Sequence, residues 1–156
     1  MKVVVDSNII FSALLTKNSK LRDTLLKKNH HFYSPNYFFN EIFKYKEKIL
    51  SCSKLDEVEL YEYLRKILEN IQFIRMEIIS KENRSMAFDL CKDIDEKDTP
   101  FIALAIEIDS YVWTGDKKLK KGLEEKGFSK FADIGLLDNG RHARRCKKND
   151  SQSPQG

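Results

Sequence analysis

The chain is poor in cysteine, and its three cysteines, Cys52, Cys91 and Cys146, are odd in number and widely spaced. That excludes the paired spacing of a zinc site and a disulfide framework, so reduced thiols are expected, with Cys52 and Cys91 as packing residues. Long apolar runs are missing as well: none approaches the ~20 residues that a membrane helix requires. The opening MKVVVD meets an aspartate before a signal-peptide core could form, so a cytoplasmic protein with no membrane segment is expected. No glycine-rich phosphate loop of the mononucleotide or dinucleotide kind is present, and there is no internal repeat.

An excess of positive charge is missing from most of the chain, despite the formal net charge of +4. Five of the 28 basic and one of the 24 acidic residues fall in residues 139–156, which leaves 23 of each in residues 1–138. Overall charge therefore does not argue for nucleic acid, and any such footprint must come from local clustering. The end, NGRHARRCKKNDSQSPQG, has no apolar period, and residues 138–156 are expected to form a disordered basic tail. With 41% hydrophobic residues among 156, the remaining 1–137 suits one domain with a real core.

What is present is an alternation of short apolar runs with amphipathic helices. Residues 2–5 are a β-branched strand signal, followed by a helix bearing Ile9, Ile10, Phe11, Ala13, Leu14 and Leu15 that Ser7 or Asn8 should cap. Further helices are expected over residues 20–28 and 37–50, over 55–71 with Val58, Tyr61, Leu64 and Leu68 inward, and over 80–92 with Met86, Leu90 and Cys91 inward. Strand signals lie at 31–34 and 72–75, and 131–134 suggests a last edge strand. The pattern predicts an α/β fold, a central mostly parallel sheet covered by helices on both faces.

Residues 93–119, DIDEKDTPFIALAIEIDSYVWTGDKKL, carry the chemistry. Asp98 stands at the start of an almost unbroken apolar helix, where Pro100 fits only a first turn. Asp93 and Asp95 are nearby alternatives, with Asp98 better placed for the first turn and Asp95 auxiliary. Asp116 follows the buried-strand run Tyr111 to Thr114 and Gly115, so it sits at a strand's carboxyl end, as Asp6 does. That edge is where ligands bind in open α/β sheets. Glu41 lies on the flank of the apolar face of its helix. Asp6, Glu41, Asp98 and Asp116 gathered in one crevice would repel one another and favour a hard divalent cation, Mg²⁺ or Mn²⁺. Such a cation bridges to phosphates and activates water. Lys117, Lys118, Lys120 and Lys121, directly after Asp116, are the charges expected to contact RNA phosphates.

VVVDSNIIFSALL, the helical Glu41, DEKDTPFIALA and YVWTGDKKL together make the chain resemble the PIN domain, a three-layer α/β/α metal-dependent ribonuclease fold. The resemblance covers nearly all of residues 1–135. It implies Asp6, Glu41, Asp98 and Asp116 as the catalytic metal-binding set with Mg²⁺ or Mn²⁺, and Asn8 and Thr114 as auxiliary polar residues. It further implies endonuclease cleavage of RNA by a metal-activated water. Stand-alone chains of this size resemble VapC-type toxins, which implies a small antitoxin partner and a homodimer. Two rival readings remain beside it. In an aspartyl-phosphate phosphotransferase Asp6 would be the nucleophile, although Asn8 stands where a second Asp is expected. A non-catalytic PIN-like module would hold RNA or protein without cutting.

Overall fold

The computed structural model describes residues 1–138, and the expected basic tail lies outside the described residues. Five parallel strands form the sheet: β1 (Lys2–Val5), β2 (His31–Pro35), β3 (Ile71–Ile74), β4 (Tyr111–Trp113) and β5 (Phe131–Ala132). Their order across it is β3-β2-β1-β4-β5. The chain builds outward from β1 on one side, then returns to place β4 on the other. The β1/β4 crevice is therefore the topological switch point, where ligands of such sheets bind.

Helices cover both faces. Val3 and Val5 of β1 point into a core shared with α1 (Ser7–Ala13), α2 (Lys20–Leu26), α3 (Tyr37–Cys52) and α4 (Glu57–Glu69). Val4 points the other way, into a core built with α5 (Lys81–Cys91), α6 (Thr99–Glu107) and α7 (Lys117–Glu125). The two-residue alternation of a strand thus feeds two cores from one run of three valines. Residues 134–138 are helical and return Leu137 to the first core. The chain is a three-layer α/β/α fold.

Several local expectations are corrected. On α4 the buried residues are Leu60 and Ile67, whereas Val58 is 79% exposed and Tyr61 is 45% exposed, so the inward face is rotated from the expected one. Ser53, a fair cap for α4 by residue type, instead donates to the Leu14 carbonyl, and the cap is Asp56, whose carboxylate accepts the Glu59 N–H. On α5 it is Ala87 and Cys91 that are buried, and Met86 is exposed. Cys91 is a packing residue as expected, but Cys52 is exposed. The edge strand β5 ends at Ala132, because the chain turns at Asp133 into the helical residues 134–138. Among the described residues no helix is long and apolar enough to cross a membrane.

Candidate active site

Each strand that borders the switch point delivers one carboxylate. Asp6 follows β1 directly and is the N-cap of α1, a position expected for Ser7 or Asn8; its backbone N–H donates to the Trp113 carbonyl of β4 at 2.9 Å. Asp116 follows β4 after Gly115 and caps α7, its Oδ1 accepting the Leu119 N–H at 3.0 Å. Thr114 links them: its buried hydroxyl donates to Asp6 Oδ2 at 2.7 Å and accepts the Asp116 N–H at 3.1 Å.

The other two acids arrive from helices. Glu41 lies in the second turn of α3, half-buried, and accepts a hydrogen bond from the Ser7 hydroxyl at 3.3 Å. Asp98 ends a short 3-10 turn (Glu96–Asp98) and stands as N-cap of the buried helix α6, with no side-chain capping bond. Among the described residues its buried Oδ2 has no hydrogen-bond partner, and neither has Oγ1 of the adjoining Thr99.

The protons report how closely these acids stand. Burial pushes the Asp98 carboxyl up to about 7, and the charges of Asp6, Asp95, Asp116 and Glu41 push in the same direction. Burial likewise raises Asp6; the Thr114 hydroxyl and the backbone of Asn8 and Ser7 oppose it, and the Asp116 charge adds to it. Glu41 is raised by burial and by the Asp6 charge, against the Ser7 hydroxyl and the charges of Lys97 and Lys44. Asp6, Glu41, Asp98 and Asp116 thus share one electrostatic neighbourhood. Among the described residues no three His, Cys, Asp or Glu side chains close around a single metal-sized point. The four are neighbours rather than a finished cage, as uncompensated like charges are expected to be. An orphaned buried carboxylate oxygen and raised proton affinities fit a group that brings positive charge, and a hard cation that keeps several waters does not need a closed protein cage.

Of the other expected residues, Asp95 is exposed at the cap of the 3-10 turn, yet close enough to act on Asp98. Asp93 is turned instead to Lys126 of the chain beyond α7, at 3.1 Å. Asn8 is exposed on the first turn of α1 and lines a pocket of about 640 Å³ with Ser12, Asp116 and Asp133. Lys117, Lys118, Lys120 and Lys121 ride on α7, whose buried side is Leu119 and Leu123; Lys120 leans over the Phe131 ring. Ser7 was expected only as a cap, and its bond to Glu41 joins residues 34 positions apart, which no local pattern announces.

A family model described as the PIN domain matches residues 4–134. No curated protein matches the chain.

Proposed function

Because the chain belongs to the PIN domain family, whose members are generally nucleases, we propose that it is an endoribonuclease that depends on Mg²⁺ or Mn²⁺. The observation that carries this reading is the buried, partnerless Asp98 Oδ2 in the shared field of Asp6, Asp116 and Glu41 at the switch point. These four carboxylates would hold the cation, which supplies positive charge to the scissile phosphate and lowers the pKa of water there. The residues of the chain prepare that step. Thr114 orients Asp6 and opposes the rise that burial imposes on its carboxyl, and Ser7 does the same for Glu41. Asp116 is anchored through Oδ1 to the first turn of α7. Asp98, with a proton affinity near neutrality, gives up its proton when positive charge enters the site.

The further reading, the toxin of a toxin–antitoxin pair, rests on an exposed apolar groove between α3 and α4. It is about 280 Å³ and is lined by Ile42, Phe43, Leu60, Tyr61 and Leu64, with Phe43 78% exposed. Such a surface suits a small protein partner, the antitoxin, or a second copy of the chain. Mass measurement of the purified chain by light scattering separates a dimer from a monomer.

The test of the nuclease reading is cleavage of a mixed single-stranded and structured RNA pool with Mn²⁺, with Mg²⁺ and with chelator, alongside Asp6→Asn and Asp98→Asn. Cleavage that requires metal and is lost in both variants is expected. Full activity in Asp98→Asn, or RNA binding without cutting under any metal, would overturn it and favour a non-catalytic binding module.

A further inference from the structure

Neither of the two pockets that flank the acidic crevice is lined by Lys117, Lys118, Lys120 or Lys121. The flank on the Asp116 side has Asp133 and Asp116 in its wall and no Lys or Arg. A phosphate there would meet like charge. On the Asp98 side, Lys97 and Thr99, its neighbours in the chain, form one wall of an open groove of about 430 Å³. Tyr37, Arg84 and Phe88 add aromatic and cationic character, and Glu96 is the one acid of the lining, which therefore holds two cations to one carboxylate.

Three observations give this groove a chemistry. Arg84 and Lys97 are both exposed, and among the described residues neither is in an ion pair. Lys97 and Thr99 of this wall flank Asp98 in the chain, and Asp98 is the N-cap of α6, so the groove opens directly beside that acid. Phe88 follows Arg84 by one helical turn on α5 and is 46% exposed, an aromatic ring left in water beside two free cations. Tyr37, held edge-on to the Phe101 ring at 6.4 Å, lines the same groove as a fixed aromatic wall.

Cations beside exposed aromatic rings are what a single nucleic-acid strand requires: charge for the backbone and a flat apolar face for an unstacked base. We propose that this groove receives the single-stranded RNA next to the bond that is cut, with a phosphate on Arg84 and Lys97 and a base stacked on Phe88 against Tyr37. The assignment rests on the nuclease reading for its substrate, and it makes the approach asymmetric. The backbone phosphates enter on the Asp98 side, where charge attracts them, and leave the acid-walled pocket by Asp116 to a base or to water. Base-paired RNA buries the faces that Phe88 and Tyr37 would meet, so the groove selects single strands.

The experiment is binding of a short fluorescein-labelled single-stranded RNA to the full chain in chelator, followed by anisotropy across a salt series, with cleavage in Mn²⁺ measured in parallel. Replacing both Arg84→Ala and Lys97→Ala is expected to weaken binding roughly tenfold and to flatten the salt slope by about 1.4, the share of two phosphate contacts on a single strand. Phe88→Ala is expected to weaken binding about tenfold, with Phe88→Tyr restoring it. All three side chains are exposed, and unchanged thermal melts check that the variants fold. Variants that bind as tightly as the parent with the same salt slope overturn the groove, as does tighter binding of a duplex of the same sequence. If the parent binds through these residues but cuts with no metal, the groove stands and the nuclease reading falls. If the parent cuts and the variants bind and cut as it does, the groove falls and the nuclease reading stands.

Discussion

Thr114 donates to Asp6 across the junction of β1 and β4, at 2.7 Å, and the same hydroxyl accepts the backbone N–H of Asp116. One side chain therefore joins the carboxylates that end two neighbouring strands. The register places Val5 opposite Trp113, so Asp6 and Thr114 follow as the next residues on each strand. The bond is short and buried, and it opposes the rise that burial imposes on the Asp6 carboxyl.

Thr114→Val keeps the shape and removes the hydroxyl, leaving Asp6 Oδ2 and the Asp116 N–H without their partner. A loss of about 1–3 kcal/mol in urea unfolding is expected. Asp6, deprived of the bond that opposes its burial, should hold its proton more tightly, so Mn²⁺ binding by calorimetry should weaken while Thr114→Ser stays near the parent. Unchanged Mn²⁺ affinity in the valine variant would show that this hydroxyl does not tune Asp6.

The acids also set how stability depends on pH. Asp98 is raised from the ordinary carboxylate range to about 7, and Asp6 and Glu41 are raised as well. Between those values the native state binds protons that the unfolded chain has released, so this contribution is complete at low pH and is lost as pH rises through about 7. In chelator, the melting temperature should fall from about pH 5 to about pH 8. Asp98→Asn should flatten that decline and melt above the parent at the upper end. Mn²⁺ at the upper end should raise the parent's melting temperature and leave the variant nearly unmoved, because only a native state that binds the ion gains from it. A parent whose melting temperature is level across the range in chelator would contradict the charge crowding described for Asp98.

Arg22 is buried at 3% exposure, and among the described residues it has no carboxylate partner. Its guanidinium donates to the carbonyls of Ala13 at 2.9 Å, Thr16 at 2.8 Å and Lys17, and lies over the Tyr63 ring at 3.9 Å. These carbonyls end α1 and begin the loop after it, so Arg22 stabilises the far end of the helix whose first turn follows Asp6. Arg22→Ala should cost roughly 3 kcal/mol in urea unfolding, since several buried carbonyls lose their donor. Arg22→Lys should recover little, because one ammonium cannot reproduce the fork. Near-parental stability in the lysine variant would mean that the charge alone suffices.

Much of the fold could be read from the residues because its cause is local. Val3, Val4 and Val5 announce a strand buried on both faces, Pro100 marks the first turn of α6, and Gly127 stops the chain after α7 with a φ of +94° that suits glycine. The faces expected of α4 and α5 hold in part, because hydrophobic residues fall on more than one side: Leu64, Leu68, Leu90 and Cys91 pack inward, whereas Val58, Tyr61 and Met86 are exposed. On α4, Leu60 and Ile67 compete with Val58 and Tyr61 for the inward position, and only the packing against α2 and β3 selects among them. Gly122, in mid-helix, has no local reason either: a Cβ there would stand 2.5 Å from Ile94 Cδ1, a residue of the segment that leads to Asp98.

For the site, neighbouring residues suffice to end strands at Asp6 and Asp116 and to open a helix at Asp98, since strand and helix periods are written locally. Long-range packing alone makes β1 and β4 adjacent, brings Glu41 to Ser7, sets Thr114 across the two strand ends, and gathers Lys97, Arg84 and Phe88 in a groove beside Asp98. Those relations join residues many positions apart, and distance along the chain carries no information about them. The strand order of the sheet does.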